Sequence, residues 1–391
     1  MNFWEGRNDL TDTNPLRVLA VEPYFGGSHA AFLRLITEHS RHAWTLVTGQ
    51  SRHWKWRMRS SAFPLAQRAL AAVKESGAPD VILCSDMLEV PSFLGFLHQI
   101  ARQADDCVLN VPIVTYFHEN QLTYPQSPKA RVDFHYGYTN LLSAMVSDAC
   151  WFNSRYHLDE FMTAASKFIA GMPDTRDEHD MAAIRRKSIV IPPGFDLEMA
   201  GSIQRQRSDD SPIRIGWVSR WEYDKRPDLF LELLRLLNEK SVAFQLVLLG
   251  ERHGQPPELS SIRDQFADRI FVDEFAQTRQ DYLRHLAKID VVVSTADHEF
   301  FGIAICEAIA AGAAAVLPNR LSYPDLIAPN RCYADLAEAV QMITAYGSES
   351  NRKIAAESAW QSIQSYTASN VAAEIDEQMV RLVERATSSR A

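Results

Sequence analysis

Short apolar runs recur along the chain, and each ends in a polar or glycine-bearing turn that opens a stretch of helical period. RVLAVE (17–22), WTLVT (44–48), DVILCS (80–85), PIVTYFH (112–118), ACWFNS (149–154) and SIVIPPG (188–194) read as strands. A second series follows: IRIGWVS (213–219), FQLVLLG (244–250), RIFVDEF (269–275), DVVVSTA (290–296) and AAVLP (314–318). Runs that are apolar at nearly every position must be covered on both faces, which predicts parallel sheets with helices on either side. The polar segment AGSIQRQRSDDSP (200–212) separates the two series and reads as a linker. The predicted fold class is therefore α/β, with two Rossmann-like, doubly wound parallel-sheet domains facing a cleft. Their expected bounds are 16–199 and 212–350, with a helical tail over 351–391 that ends in a Ser-rich fray and a loose segment over 1–15.

In such folds ligands bind outside the carboxyl ends of the strands, so the turns after the predicted strands carry the chemistry. The most informative is Asp297-His298-Glu299-Phe300-Phe301-Gly302, between the VVVS strand and the helix that contains Glu307. A turn that leaves a strand and opens a helix offers free N–H groups and the positive end of a helix dipole, a seat for a diphosphate. Glu299 and Glu307 would accept hydroxyls on either side of it, which suits a sugar nucleotide. The bland alternative is a solvated loop glutamate and a chance helix glutamate. After the first strand of the second domain comes Ser219-Arg220-Trp221-Glu222-Tyr223-Asp224-Lys225-Arg226-Pro227. Its cations are suited to clamp a diphosphate, Arg as a fork and Lys as a point charge, or are routine surface charge.

In the first domain Gly26-Gly27-Ser28-His29 lets backbone approach a ligand closely, although a glycine turn is often only a turn. Tyr116-Phe117-His118-Glu119-Asn120-Gln121-Leu122-Thr123-Tyr124-Pro125 gathers polar groups at a strand end and suggests recognition of substrate hydroxyls. Against that stands a satisfied core histidine at His118. Arg52-His53-Trp54-Lys55-Trp56-Arg57-Met58-Arg59 interleaves cations with indoles, as a surface for phosphates and unpaired bases would. The alternative is a helix of buried tryptophans with snorkelling basic chains. A further aromatic group, Arg131–Tyr138, reads as core packing.

Composition narrows the classes. The 391 residues carry a net charge of −9 with 46% hydrophobic content, an ordinary soluble globular balance. An acidic chain does not coat itself in nucleic acid, so an RNA contact must be a local basic patch. The five cysteines are scattered and include no CxxC, which fits a reducing cytoplasm without disulfide framework or zinc ribbon. The first residues show no secretory pattern, and no apolar stretch is long enough to span a bilayer. The twelve histidines show no metal-ligand spacing, and neither a GxSxG elbow nor a P-loop is present.

Together these residues resemble retaining GT-B glycosyltransferases of the family 4 type. The Glu-x7-Glu element is Glu299/Glu307, the cation pair Arg220/Lys225, the Gly-rich loop Gly26-Gly27, and the turn before the linker Pro193-Gly194-Phe195-Asp196. The strings PYFGGSH, RHWKWRMR, YFHENQLTYP, DFHYGYTN and HEFFG are similar to a narrower group, the tRNA-queuosine alpha-mannosyltransferases. Phe300 where glycine is common, and the long HENQLTYP segment, depart from the wider pattern and agree with the narrower one. The resemblance implies transfer of mannose from GDP-mannose to queuosine in the tRNA-Asp anticodon, in the cytoplasm, with no stable membrane association and no metal or other cofactor. It implies catalytic roles for His118, Arg220, Lys225 and Glu299, and donor binding by Gly26, Gly27, Phe301, Gly302 and Glu307. Acceptor tRNA would meet Arg52, Trp54, Lys55, Trp56, Arg57, Arg59, Glu119 and Asn120. Rival readings are the same fold acting on an envelope lipid or polysaccharide, a non-catalytic nucleotide-sugar or tRNA-binding protein, and a sugar-nucleotide epimerase.

Overall fold

The computed structural model describes residues 14–103, 110–125, 133–174, 180–196, 211–252 and 256–388. The N-terminal unit runs β1 (Arg17–Phe25), α1 (Gly27–His39), β2 (Ala43–Gln50), α2 (Trp54–Ser60), α3 (Ala62–Ser76), β3 (Val81–Ser85), α4 (Val90–Gln103), β4 (Ile113–Phe117), α5 (Phe134–Val146), β5 (Ala149–Phe152), α6 (Arg155–Ala170), α7 (Met181–Arg186) and β6 (Ser188–Val190). The second unit runs β7 (Ile213–Trp217), α8 (Pro227–Glu239), β8 (Phe244–Leu248), α9 (Pro257–Gln265), β9 (Ile270–Asp273), α10 (Arg279–Leu286), β10 (Val291–Val293), α11 (Ile303–Ala310), β11 (Ala314–Val316), α12 (Tyr323–Ile327), α13 (Leu336–Ala345) and α14 (Glu349–Ile363). The last helix, α15, spans Ala368–Ser388.

Both sheets are parallel, with orders β2-β1-β3-β4-β5-β6 and β11-β10-β7-β8-β9. Strand alternation explains why each run is wholly apolar. In β1, Leu19 and Val21 face α3 and α4, while Val18 and Ala20 face α1 and α15. In β10, Val291 and Val293 pack on the side of α8 and α13, and Val292 packs with α11 and α14. Side-chain caps start several helices where the strands stop: Ser154 accepts from the amide of His157 on α6, and Thr278 from that of Asp281 on α10.

The strand orders fix where ligands can lie. The order in which successive strands are added reverses between β1 and β3 in the first sheet and between β7 and β10 in the second, and a crevice opens at each reversal. The loops bordering these crevices are Tyr24–Ser28, Asp86 and the residues after Phe117, facing Ser219–Arg226 and Ser294–Gly302. The Gly26–His29, Tyr116–Pro125, Ser219–Pro227 and Asp297–Gly302 motifs lie in or beside these loops, whereas the Arg52–Arg59 stretch after β2 and the Pro193–Asp196 turn after β6 do not.

The segment after 350 belongs to both units. α14 packs Ala359 and Ile363 on the second core, whereas α15 packs Val371, Ala372, Ile375 and Met379 on the first. The crossing between them pairs with the turn that ends the first unit: Phe195 donates to the Tyr366 carbonyl at 3.2 Å and the amide of Ala368 donates to the Phe195 carbonyl at 2.9 Å. Gly194 makes this approach at φ +76°, with Leu35 and Val371 packed against it. Most of the predicted linker, 200–210, lies outside the described residues, as do 1–13.

Candidate active site

The second crevice gathers its charges around one buried ammonium. Lys225 sits in a short turn after β7 and is 7% exposed. Its Nζ donates to the His298 carbonyl at 2.6 Å and to Glu299 Oε2 at 3.2 Å, and lies 3.4 Å from Asp224 Oδ2. A buried cation with this many oxygens is pinned rather than solvated. The turn itself is tied to the loop after β10: the amides of Asp297 and His298 both donate to the Asp224 carbonyl, and Thr295 Oγ1 donates to the carbonyls of Lys225 and Arg226. Arg226 and Arg320 then close on the Asp297 carboxylate at 2.7 and 3.0 Å. The predicted Arg/Lys loop and the predicted Glu299 loop are thus one structure.

Arg220 is less enclosed, with its Nη1 3.1 Å from Glu222 Oε2. Burial works against its charge, but Tyr124, Glu222 and Asp224 outweigh it and hold the guanidinium charged. Tyr124 belongs to the first domain. Its hydrogen bond to Arg220, and its edge-on packing against the His298 ring at 5.2 Å between centroids, carry the site across the cleft. The Tyr124 phenol is pushed up to about 12, chiefly by burial and then by Glu119.

Gly302 caps α11 at φ +99°, a conformation that costs glycine little and other residues more. Phe301 turns inward, its carbonyl held by Ser322 Oγ at 3.0 Å. Phe300 turns toward the first domain and stacks on His157 at 4.0 Å. Glu307, one turn into α11, is 8% exposed; Arg279 donates to its Oε1 at 2.5 Å and Tyr282 hydrogen-bonds to it as well. Arg279 and Tyr282 escaped sequence reasoning because they sit on α10, with no motif of their own. Behind this turn a cavity of about 240 Å³ lies between the units, lined by Asn153, Ser154, Phe301, Ser322, Asp325 and Tyr366.

On the opposite wall His118 follows β4. Its amide donates to Asp86 Oδ1 at 2.9 Å, its carbonyl accepts from Asn153 Nδ2 at 2.8 Å, and its ring packs among His29, Tyr116 and Phe32. Burial, then His29 and His157, hold this ring well below the ordinary histidine value, so it is neutral at physiological pH. Glu119 is half-buried, accepts from Gln121 Nε2 at 2.8 Å, and is raised by burial against the pull of His29 and Arg220. Asn120 is fully buried, and its Oδ1 accepts from the amides of Leu122 and Thr123 and from Thr123 Oγ1. It shapes the loop that presents Tyr124; only its Nδ2 stays unpartnered.

The two glycines after β1 differ in use. A Cβ on Gly26 would meet Ser51 Cβ at 2.2 Å, whereas one on Gly27, at φ +52°, would meet nothing within 4 Å. Gly26 permits packing and Gly27 leaves the crevice open at the start of α1. Although no metal spacing is visible in the sequence, the fold brings Glu22, His29 and His118 together, with one potential ligand atom from each within 4.8 Å of the others. The shortest of these separations, Glu22 Oε2 to His29 Nδ1 at 2.9 Å, is a hydrogen bond.

The basic stretch forms α2 and faces outward. Met58 is its one buried side chain, Trp56 is 67% exposed, and Lys55, Arg57 and Arg59 line the surface. Trp54 packs on Tyr136 at 5.5 Å, Arg59 lies over the Tyr136 ring at 5.3 Å and Lys55 over Trp54 at 5.4 Å. Arg52 donates to Gln50 at 2.8 Å. The stretch from Arg131 to Tyr138, read as core packing, is so only in part: Tyr138 packs against the core of the first unit, whereas Phe134 is 64% exposed and Tyr136 joins the basic patch. Arg131 itself lies outside the described residues.

Comparison with known proteins bears on the family and the fold. A family described as tRNA-queuosine alpha-mannosyltransferase N-terminal matches residues 17–195, and one described as glycosyl transferases group 1 matches 201–340. The chain is 30% identical over 325 residues to the tRNA-queuosine alpha-mannosyltransferase of Drosophila melanogaster, covering 81% of this chain and 83% of that protein. Among solved structures, a glycosyltransferase from Rickettsia africae superposes with a TM-score of 0.67 at 14% identity, over 95% of this chain and 99% of that one. Anabaena HepE in complex with UDP superposes with a TM-score of 0.65 at 16% identity, over 94% and 100%. These likenesses show the GT-B fold, two Rossmann-like domains across a cleft.

Proposed function

The chain belongs to the tRNA-queuosine alpha-mannosyltransferase family, and from that premise we propose that it transfers mannose from GDP-mannose to queuosine in the tRNA-Asp anticodon, with retention at the anomeric carbon. The observation that carries the reading is the likeness to the Drosophila enzyme, which extends over 81% of the chain and so takes in both walls of the cleft. That the protein is a glycosyltransferase, using a nucleotide-sugar donor and an acceptor, follows from the family itself. The guanine base, the mannose and the tRNA belong to the proposal.

In this reading the diphosphate lies between Arg220 and Lys225 on one side and the amides at Phe301 and Gly302 on the other. Lys225 is preset by its three oxygen neighbours, and a charge fixed before reaction needs no reorganisation as the leaving group develops its own. Glu299 meets donor-sugar hydroxyls and Glu307 the ribose, with Gly27 leaving room at the facing wall. The C1–O bond to the diphosphate breaks as the queuosine hydroxyl attacks C1 from the same face. The departing phosphate oxygen takes the hydroxyl proton, so neither a side-chain base nor a metal is required. His118, neutral and at the sugar end of the cleft, meets the reacting sugar. Tyr124 and Phe300 bring the two walls together and exclude water.

The exposed Trp56 and the cations of α2 suit a single-stranded anticodon loop, where bases stack on indoles and phosphates meet Arg and Lys. Among the described residues no helix is long and apolar enough to cross a membrane; we read the protein as cytoplasmic. Nucleoside mass analysis of tRNA-Asp incubated with the protein and GDP-mannose tests the whole proposal. A hexose should appear on queuosine and be absent from the same tRNA lacking queuosine. Binding of GDP-mannose without a mass gain on either tRNA would overturn the acceptor, and α2 would then be tested by liposome flotation.

A further inference from the structure

Behind His118 lies a buried ion pair that the donor-site chemistry does not use. Glu22, on the last part of β1, is 1% exposed, and His29, on the first turn of α1, is 4% exposed. His29 Nδ1 lies 2.9 Å from Glu22 Oε2, and the other carboxylate oxygen accepts from the Tyr24 amide at 2.7 Å. The turn that joins them is the one containing Gly26 and Gly27. The His29 ring lies against the His118 ring, 4.1 Å between centroids and tilted by 41°.

We propose that the Glu22–His29 pair is a positioning unit for His118, a buried charged pair that braces the ring meeting the donor sugar and fixes its charge state. This rests on the role given above to His118. The fixed geometry is visible from both sides: Tyr116 and Phe32 close on the His118 ring at 4.7 and 5.0 Å, and His29 supplies a polar face. Among the described residues, the carboxylates that act on His29 come from the strand ends around it. Facing His29 are Glu22 on β1, Asp86 after β3, and His118 and Glu119 after β4; Tyr24 meets its ring edge-on. Facing His118 are also Tyr116 on β4 and His157 on α6.

Burial alone would lower His29, but Glu22, followed by Asp86 and Glu119, raises it to about 9. A charged His29 in van der Waals contact repels a proton from His118, whose value is held well below 6.5. The pair therefore keeps one imidazole charged and the one in front of it neutral over the same range of pH.

The experiment is the pH dependence of transfer at saturating GDP-mannose and queuosine-containing tRNA, for the wild type, Glu22→Gln, His29→Gln and His118→Ala. Wild-type kcat should fall on the alkaline side with a midpoint near 9, where His29 loses its proton and the ion pair that braces His118 is broken, His118 itself staying neutral. Glu22→Gln keeps a hydrogen-bond partner for His29 but removes the charge. Its alkaline limb should move to lower pH, because the largest contribution that raises His29 is gone while burial, which lowers it, remains. Its kcat at neutral pH should drop roughly ten- to a hundredfold, the range for outer partners of a working imidazole, with KM for donor little changed. His29→Gln should be slow at every pH and lack the limb, and in the His118→Ala background Glu22→Gln should cost nothing further.

A Glu22→Gln profile that superimposes on the wild type, with His118→Ala slow, overturns the pair and leaves the role of His118 standing. His118→Ala at the wild-type rate overturns that role and the pair together. Histidine NMR of the wild type decides the matter independently of how the variants fold: His29 should be an imidazolium at pH 7.5, and a neutral His29 overturns the proposal. Stoichiometric zinc binding that raises transfer would also overturn it, since a metal would then occupy the Glu22, His29 and His118 atoms.

Discussion

Glu307 shows how a residue can be visible in a sequence while its setting is not. Its place two turns beyond Glu299, on a helix opened by Gly302, marks it as a ligand group from the chain alone. The Arg279 and Tyr282 side chains that grip it come from α10, and nothing in the local sequence of that helix distinguishes them from a solvated face. The same holds for Glu22 and His29, seven positions apart and joined only because a glycine turn folds one onto the other. A carboxylate held by Arg279 is oriented before the donor arrives, which lowers the ordering cost of binding. Glu307→Gln should therefore weaken donor binding, raising KM for GDP-mannose by about tenfold, as loss of a charged hydrogen bond of roughly 1.5 kcal/mol would. kcat should change only a few fold. A variant with unchanged KM and a collapsed kcat would move Glu307 from ribose binding to the chemical step.

At the scale of elements, the strands were the most legible feature and the surface helix the least. A strand covered on both faces announces itself as a continuous apolar run, and all eleven strands among the described residues fall within or across the runs read from the sequence. α2 has seven residues, too few for helical periodicity to tell a buried tryptophan from an exposed one. Packing settles it: Met58 occupies the inward position, which turns Trp56 out, and Tyr136, contributed by α5, completes the patch from a distant part of the chain. A patch of cations and indoles on one short helix is separable from the donor site. Trp56→Ala should weaken tRNA binding by about 1–3 kcal/mol, the value of one base–aromatic stack. Arg57→Ala and Arg59→Ala should each reduce the slope of log affinity against log salt by about 0.7, as loss of one single-strand phosphate contact does. GDP-mannose binding should be unchanged in all three. An unaltered salt slope would return α2 to a solvated helix with no part in RNA binding.

At the scale of the whole molecule, one contact between the two units carries a group that responds to acid. His298 lies at the seam, edge-on to Tyr124 across the cleft and T-shaped to Phe300 at 4.4 Å. Burial, then Lys225, depress it from 6.5 to about 4. The unfolded chain takes up a proton near 6.5 that the folded chain refuses until about 4, so this group's contribution to stability is lost progressively as pH falls through that window. His298→Gln removes the loss, and the difference in Tm between variant and wild type should grow in the variant's favour between pH 7 and pH 4. A difference independent of pH would mean that His298 titrates normally.

The second tie is α15, which leaves the second unit and docks on the first sheet. Its anchor is Asp376, 3% exposed, which accepts from Ser40 Oγ at 2.5 Å and the Arg41 amide at 2.8 Å at the end of α1. His42 Nε2 meets the Asp376 carbonyl at 3.2 Å. A helical pattern was evident in the sequence, but its destination was not, since an amphipathic helix records that it has a partner and not which one. The crossing runs alongside the Pro193–Asp196 turn, so the two passages meet at Phe195 and Thr367, the place where a hinge between the units would lie. Loss of the Asp376 carboxylate strands the Ser40 and Arg41 donors in a partly buried place. Asp376→Ala should destabilise the protein by about 1–3 kcal/mol, the cost of leaving such donors unpaired. At temperatures where the variant stays folded, transfer should run at the wild-type rate, because Asp376 touches neither crevice. A variant with wild-type Tm and slowed transfer would instead make α15 a determinant of domain closure, with Asp376 acting on the motion of the hinge and not on the fold.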